Sequence, residues 1–135
     1  MTDLMNKERP SFDQWIKEAK AEDNAKECGM YLFHNGTVRE TAKATVREGN
    51  TELGKVKSIK FSYDQEKIQQ ALEKAKKMPG IYHVRVWLNE GELKVTDDIM
   101  TVLVGGDIRP NVINCLQSFV GEIKNECVIE KEIFD

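Results

Sequence analysis

From Val56 to the C-terminus the chain switches repeatedly between two hydrophobic periods, and no other feature restricts its fold as much. Ile59, Phe61 and Tyr63 recur at every second position, as on a half-buried strand. Asp64 then stands as N-cap to a segment with Ile68, Ala71, Leu72 and Ala75 at helical spacing, broken by Pro79-Gly80. Residues 81 to 88 return to period two, with Tyr82, Val84, Val86 and Leu88 expected on one face and His83, Arg85 and Trp87 on the other. Residues 89 to 98 read as a turn region around a short strand. Ile99 to Val104 read as an apolar strand stopped by Gly105-Gly106. A helix with Val112, Cys115, Leu116, Phe119, Val120 and Ile123 on one stripe follows, then a strand from Cys127 to about Phe134. This order of strand, helix, strand, strand, helix, strand predicts a ferredoxin-like α+β sandwich, with two helices on one face of a mainly antiparallel sheet.

The first ten residues are polar and read as a loose arm. A helix is expected from Ser11, carrying Trp15, Ile16 and Ala19, and a strand over residues 28 to 34, closed by a turn at Asn35-Gly36. Residues 37 to 54 lose all periodicity and are expected to form a mobile loop. Residues 35 to 60 hold six basic and three acidic side chains, a local +3 in a chain of net charge −3. At 135 residues the whole is expected to be one domain.

With 40% hydrophobic and 32% charged residues and a mean hydropathy of −0.52, the composition is that of a globular protein without a membrane span. The negative net charge argues against unspecific nucleic-acid binding, and the N-terminus has no apolar signal segment. Cys28, Cys115 and Cys127 are odd in number and lack CxxC spacing, so neither a disulfide framework nor a zinc site is expected, and the cytoplasm is the expected compartment. Nothing calls for a metal or a cofactor, because Walker, GxGxxG, HExxH and GxSxG motifs are all missing.

Four cations remain to be explained. Lys131 shares a strand face with Cys127, Ile129 and Ile133, which places it either at a sheet edge or in a pocket. Lys124 lies at the edge of the last helical stripe, where it either compensates the helix dipole or reaches a site. Arg109, after Gly105-Gly106-Asp107 and before Pro110, marks a helix start suited equally to an anion or to an ordinary cap. Arg39 opens the basic loop. Trp87, on the strand face opposite the apolar one, implies cover by either a second subunit or the N-terminal helix. Residues 122 to 135 carry five acidic and two basic groups, so anion binding there requires the carboxylates to face away.

Several segments together resemble one family, the large catalytic subunit of molybdopterin synthase (MoaE-like proteins). They are LFHNGTVRE with its Gly-x-Val-Arg, SIKFSYDQEKIQQAL, GELKVTDDIMTVLV, the helix from Asn111 to Lys124, and the tail VIEKE. The resemblance runs in order from about residue 28 to 133. It implies an α/β hammerhead fold with a ferredoxin-like portion, and a homodimer within a heterotetramer. It also implies a small ubiquitin-like sulfur-carrier partner with a thiocarboxylated Gly-Gly tail, and sulfur transfer from that tail to cyclic pyranopterin monophosphate. The family's cations would fall on Arg39 and Arg109 for substrate binding and on Lys124 and Lys131 for catalysis. The other function weighed is a non-catalytic ferredoxin-like dimer that binds a small anionic ligand or a protein tail. Ile108 before Arg109, and Cys127 to Glu130 before Lys131, depart from the family's usual His-Arg pair and Pro-Trp tail.

Overall fold

The computed structural model describes residues 8–43, 49 and 54–134. Most of the expected arm (residues 1–7) and most of the expected loop (residues 44–48 and 50–53) lie outside the described residues.

Helix α1, Phe12–Lys20, starts where Ser11 accepts the backbone N–H of Gln14 at 3.2 Å, and it buries Trp15 and Ala19, one turn apart on one face. A single 3₁₀ turn, Asp23–Glu27, leads into strand β1, Met30–Thr37. Strand β2, Val56–Tyr63, is followed by helix α2, Gln65–Lys76, whose N-cap Asp64 accepts the N–H of Lys67 at 3.1 Å. Ile68, Ala71, Leu72 and Ala75 are all buried, as their spacing predicts. Strands β3 (Ile81–Leu88), β4 (Gly91–Lys94) and β5 (Asp98–Gly106) precede helix α3, Arg109–Glu122. One π-helical turn, Ile123–Cys127, connects α3 to strand β6, Val128–Phe134.

The α+β order expected from residue 56 onward is present, but the strands form two antiparallel three-stranded sheets, ordered β1-β5-β3 and β4-β2-β6. Residues of both sheets, α2 and α3 meet in one core, including Ile59, Ile68, Leu72, Val86, Val104 and Phe119. Burying a side chain such as Leu72 contributes about 1.5–3 kcal/mol.

Three local expectations change. Asn35 and Gly36 do not turn; they pair with Thr101 and Met100 of β5, and the Asn35 amide donates to the Asp98 carboxylate at 2.7 Å. A side chain bonded to the neighbouring strand outweighs the local turn preference. Gly105-Gly106 does not end β5 but stays in the ladder, because the Tyr31 ring lies over Gly105, 2.6 Å from where a Cβ would stand. Tyr82 is not on the apolar face: a bulge between Ile81 and His83 turns it outward to 38% exposure while Ile81 takes the buried position.

The second face of the β1-β5-β3 sheet is covered by α1. Trp15 and Ala19 pack on Trp87 and Leu103, all four buried. The Arg85 guanidinium lies 4.5 Å from the centre of the Trp15 ring and donates to Glu18 at 2.8 Å, while His83 Nδ1 lies 2.9 Å from Glu22. The cover implied by Trp87 is thus the N-terminal helix.

Candidate functional site

A cavity of about 300 Å³ opens where the end of β1, the start of β5, the π turn and the inner face of β6 converge. Its floor is apolar, from Ile59, Phe61, Met100, Ile123 and Val128, and three cations stand around it: Arg39, Lys43 and Lys124.

Arg39 leaves β1 just past the bulge at Gly36/Thr37, and its Nε donates to the Thr41 carbonyl at 2.9 Å, which ties the guanidinium to its own loop through one donor and leaves the two terminal nitrogens for a ligand. The segment is held down further along: Glu40 accepts the backbone N–H of Val56 at 2.7 Å, and Glu132 accepts that of Lys43 at 3.0 Å. The Lys43 ammonium pairs with Glu130. Lys124 is not in the last turn of α3, where a dipole role would put it. It lies in the π turn beyond Glu122, and such widened turns recur at functional sites because the extra residue redirects side chains.

His34, on the core face of β1, lies beside the same place. Its Nε2 is shut off from solvent without a hydrogen-bond partner among the described residues, 3.7 Å from where a Cβ on the cavity-lining Gly36 would stand. Burial first, and the Lys124 charge second, hold its pKa below the ordinary histidine value. The folded state therefore takes up a proton on His34 less readily than the unfolded chain, whose histidine titrates at about 6.5. This contribution leaves stability untouched above that pH and lowers it as pH falls through and below it. Denaturation of wild type and His34→Phe at pH 7.5 and pH 5 should show the larger loss in the wild type; equal losses would mean that the imidazole is solvated.

Of the four cations singled out in the sequence, the cavity brings together Arg39 and Lys124. Lys131 points the other way. Val128, Glu130 and Glu132 share the inner face of β6 with their ladder partners Tyr63, Phe61 and Ile59, and period two then sends Ile129 and Lys131 outward. Ile129 is 74% exposed, and Lys131 stands directly across from the equally exposed Lys60. Arg109 is exposed at the first position of α3, and the helix N-terminus already has its anion: Asp107 accepts the N–H of Ile108 at 2.6 Å and the amide of Asn111 at 2.9 Å. Those bonds hold the Asp107 carboxyl below its usual range.

Sequence reasoning passed over Lys43, Glu130, Glu132 and His34. The carboxylates face the cavity rather than away from it, and only the pairing of β6 with Phe61 and Ile59 reveals this. Cys115 and Cys127 are buried and free, and burial pushes the Cys115 thiol up to about 11, so neither supplies a thiolate. Among the described residues no group of three or more His, Cys, Asp or Glu side chains could hold a metal ion, and no helix is long and apolar enough to cross a membrane.

Fold and cavity together define a two-sheet α+β protein that offers cations around an apolar slot. The family model described as MoaE protein matches residues 6–126, and the chain belongs to that family. No curated protein matches the sequence. Among solved structures, molybdopterin synthase from Staphylococcus aureus is similar at 18% identity and TM-score 0.72, over 99% of this chain and 90% of that one. The molybdopterin cofactor biosynthesis protein E of Burkholderia multivorans is similar at 14% identity and TM-score 0.73, over 98% and 82%. A complex of subunits 1 and 2 of the molybdopterin-converting factor from Helicobacter pylori matches at 15% identity and TM-score 0.63, over 93% and 80%. At these identities the likeness is one of fold.

Proposed function

We propose that the chain is the large subunit of a molybdopterin synthase, acting in molybdenum cofactor biosynthesis. In this reading it moves sulfur from the thiocarboxylated Gly-Gly tail of a small ubiquitin-like subunit to cyclic pyranopterin monophosphate, giving molybdopterin. Membership in the MoaE family supports the pathway, and the two-subunit complex from Helicobacter pylori supports a small partner. The observation that carries the reading is the convergence of Arg39 and Lys124, from opposite halves of the chain, on one apolar-floored cavity. A phosphate and an anionic sulfur repel each other, and holding both together needs fixed cations in a partly dry site. Arg39, with its forked donors, binds the phosphate, and Lys124 stands beside the thiocarboxylate as a point charge.

Lys131 and Arg109 take a different part in this reading. Both are exposed outside the cavity, each next to or near a large exposed isoleucine: Ile129 lies two residues from Lys131, and Ile108 at 57% exposure precedes Arg109. Lys131 also faces Lys60, a like-charge pair that costs stability unless an anion shares it. Cations beside exposed apolar side chains suit contact with the donor subunit, or with a second copy in a homodimer within a heterotetramer.

The test mixes the purified chain with a thiocarboxylated partner and the cyclic precursor and assays for the dithiolene. Product formation supports the reading. Binding of tail and precursor without product overturns it in favour of a non-catalytic binding protein. In the same assay, Lys131→Ala should capture the donor about 10-fold or more weakly, a loss of about 1.4 kcal/mol, and lose conversion accordingly, while precursor binding stays unchanged.

A further inference from the structure

The cavity that holds Arg39 and Lys124 is not uniformly basic: Glu130 and Glu132 face into it from β6. Carboxylates in a site that bound only anions would weaken it by repulsion, so their presence has to suit another part of the ligand. Lys124 stands at one end of the slot, and the segment bearing Arg39 and Lys43 runs beside the other, where Glu40 accepts from Val56 and Lys43 engages Glu130 and Glu132. Lys124 belongs to the turn that leads into β6, whereas Glu130 and Glu132 lie two and four residues past Val128, about 7 and 13 Å further along an extended strand.

Between these ends the lining includes the apolar side chains of Val128, Phe61 and Ile59. Glu130 stands directly opposite Phe61 in the ladder, with Cβ atoms about 5 Å apart, and both side chains line the cavity. In the free protein the Lys43 ammonium pairs with Glu130, and Glu132 is engaged by the Lys43 backbone N–H. Lysine satisfies only part of a carboxylate, which offers about four acceptor positions, so Glu130 keeps acceptor capacity toward the cavity.

We propose that Glu130 is the specificity-determining acceptor of this cavity: it takes the paired N–H groups of a 2-amino-4-oxopyrimidine edge. The ring of that ligand lies against Phe61, and its anionic substituent points toward Lys124. A cyclic pterin phosphate has this layout, with two coplanar donors at one end and a phosphodiester anion at the other. The choice of a pterin rests on the proposed function, but recognition by Glu130 is read from binding alone, with no sulfur donor present.

The experiment titrates the full chain with pterin and with lumazine, which carries a carbonyl where pterin carries the amino group, following ligand fluorescence. Wild type should prefer pterin by about 10- to 100-fold, the worth of charge-assisted hydrogen bonds. Glu130→Gln should abolish that preference while leaving affinity for inorganic phosphate, measured separately, unchanged. Lys43→Met removes only the internal occupant and should keep the preference. Equal binding of the two rings by wild type overturns the inference, as does a preference that survives Glu130→Gln. Loss of the preference in both variants alike also overturns it, since the ion pair would then be acting as a structural clamp. A preserved pterin preference together with failed sulfur transfer would sustain this inference and refute the proposed activity instead.

Discussion

Lys124→Ala is expected to lower the rate of dithiolene formation by about 100- to 1,000-fold, the usual cost of removing one preorganised group that meets developing charge. The size of the effect comes from the surroundings. Lys124 is exposed at the rim of the cavity and borders a floor made by Ile123, Val128 and Phe61 that excludes water once the cavity is filled. A cation bordering such a floor acts on its ligand through a lower dielectric than one on an open surface. The variant should fold as the wild type does, because Lys124 is exposed and lies outside the buried core. Urea denaturation checks that, and single-turnover conversion checks the rate. Conversion within a few-fold of wild type would mean that sulfur moves somewhere other than this cavity. Lys124→Arg should recover binding better than rate, since a planar fork does not replace a compact point charge.

Trp87→Ala is expected to cost about 3–5 kcal/mol, a large part of the roughly 5–15 kcal/mol that stabilises a typical domain. Trp87 is fully buried between Trp15 and Ala19 of α1 and Leu103 of β5, in a small cluster with few other members to close over the gap. The same truncation loosens the seat of Trp15, and with it the ring under the Arg85 guanidinium and the Glu18 carboxylate bonded to it. Denaturant titration should show a lower midpoint, with the α1 amides losing protection from hydrogen exchange first. Because this cluster lies on the sheet face away from the cavity, the fraction still folded should bind the pterin precursor as wild type does. A change below about 1 kcal/mol would mean that α1 is not anchored on this face.

The helices were the most legible part of the chain. Ser11 and Asp64 as caps, and Ile68, Ala71, Leu72 and Ala75 as a stripe, follow from residues within a few positions of one another, and the structure has them as read. The succession of strands and helices along the chain from residue 56 was legible for the same reason. Misreadings occur where a distant neighbour decides. Asn35-Gly36 has the composition of a turn until the Asp98 and Thr101 side chains bond to Asn35. β6 has two faces of nearly equal apolarity, so its sequence alone left Lys131 and Ile129, which share a face, open between a sheet edge and a pocket. Pairing with β2 decides otherwise, because the inner face must continue that of Ile59 and Phe61. A strand offers two faces one residue apart, and the choice between them inverts every side chain at once.

Local periodicity, capping and charge were therefore sufficient to set the α+β class and the order of elements and to mark Arg39 and Lys124 as positions to weigh, whereas a role for the two came only from the family resemblance. Only the tertiary structure decided that the strands divide into two sheets, that Lys43, Glu130 and Glu132 join the cavity, and that Lys131 and Arg109 stand outside it. Helix formation and capping depend on neighbours along the chain, whereas a cavity is made by register and packing between segments far apart in it, which one linear pattern does not encode by itself.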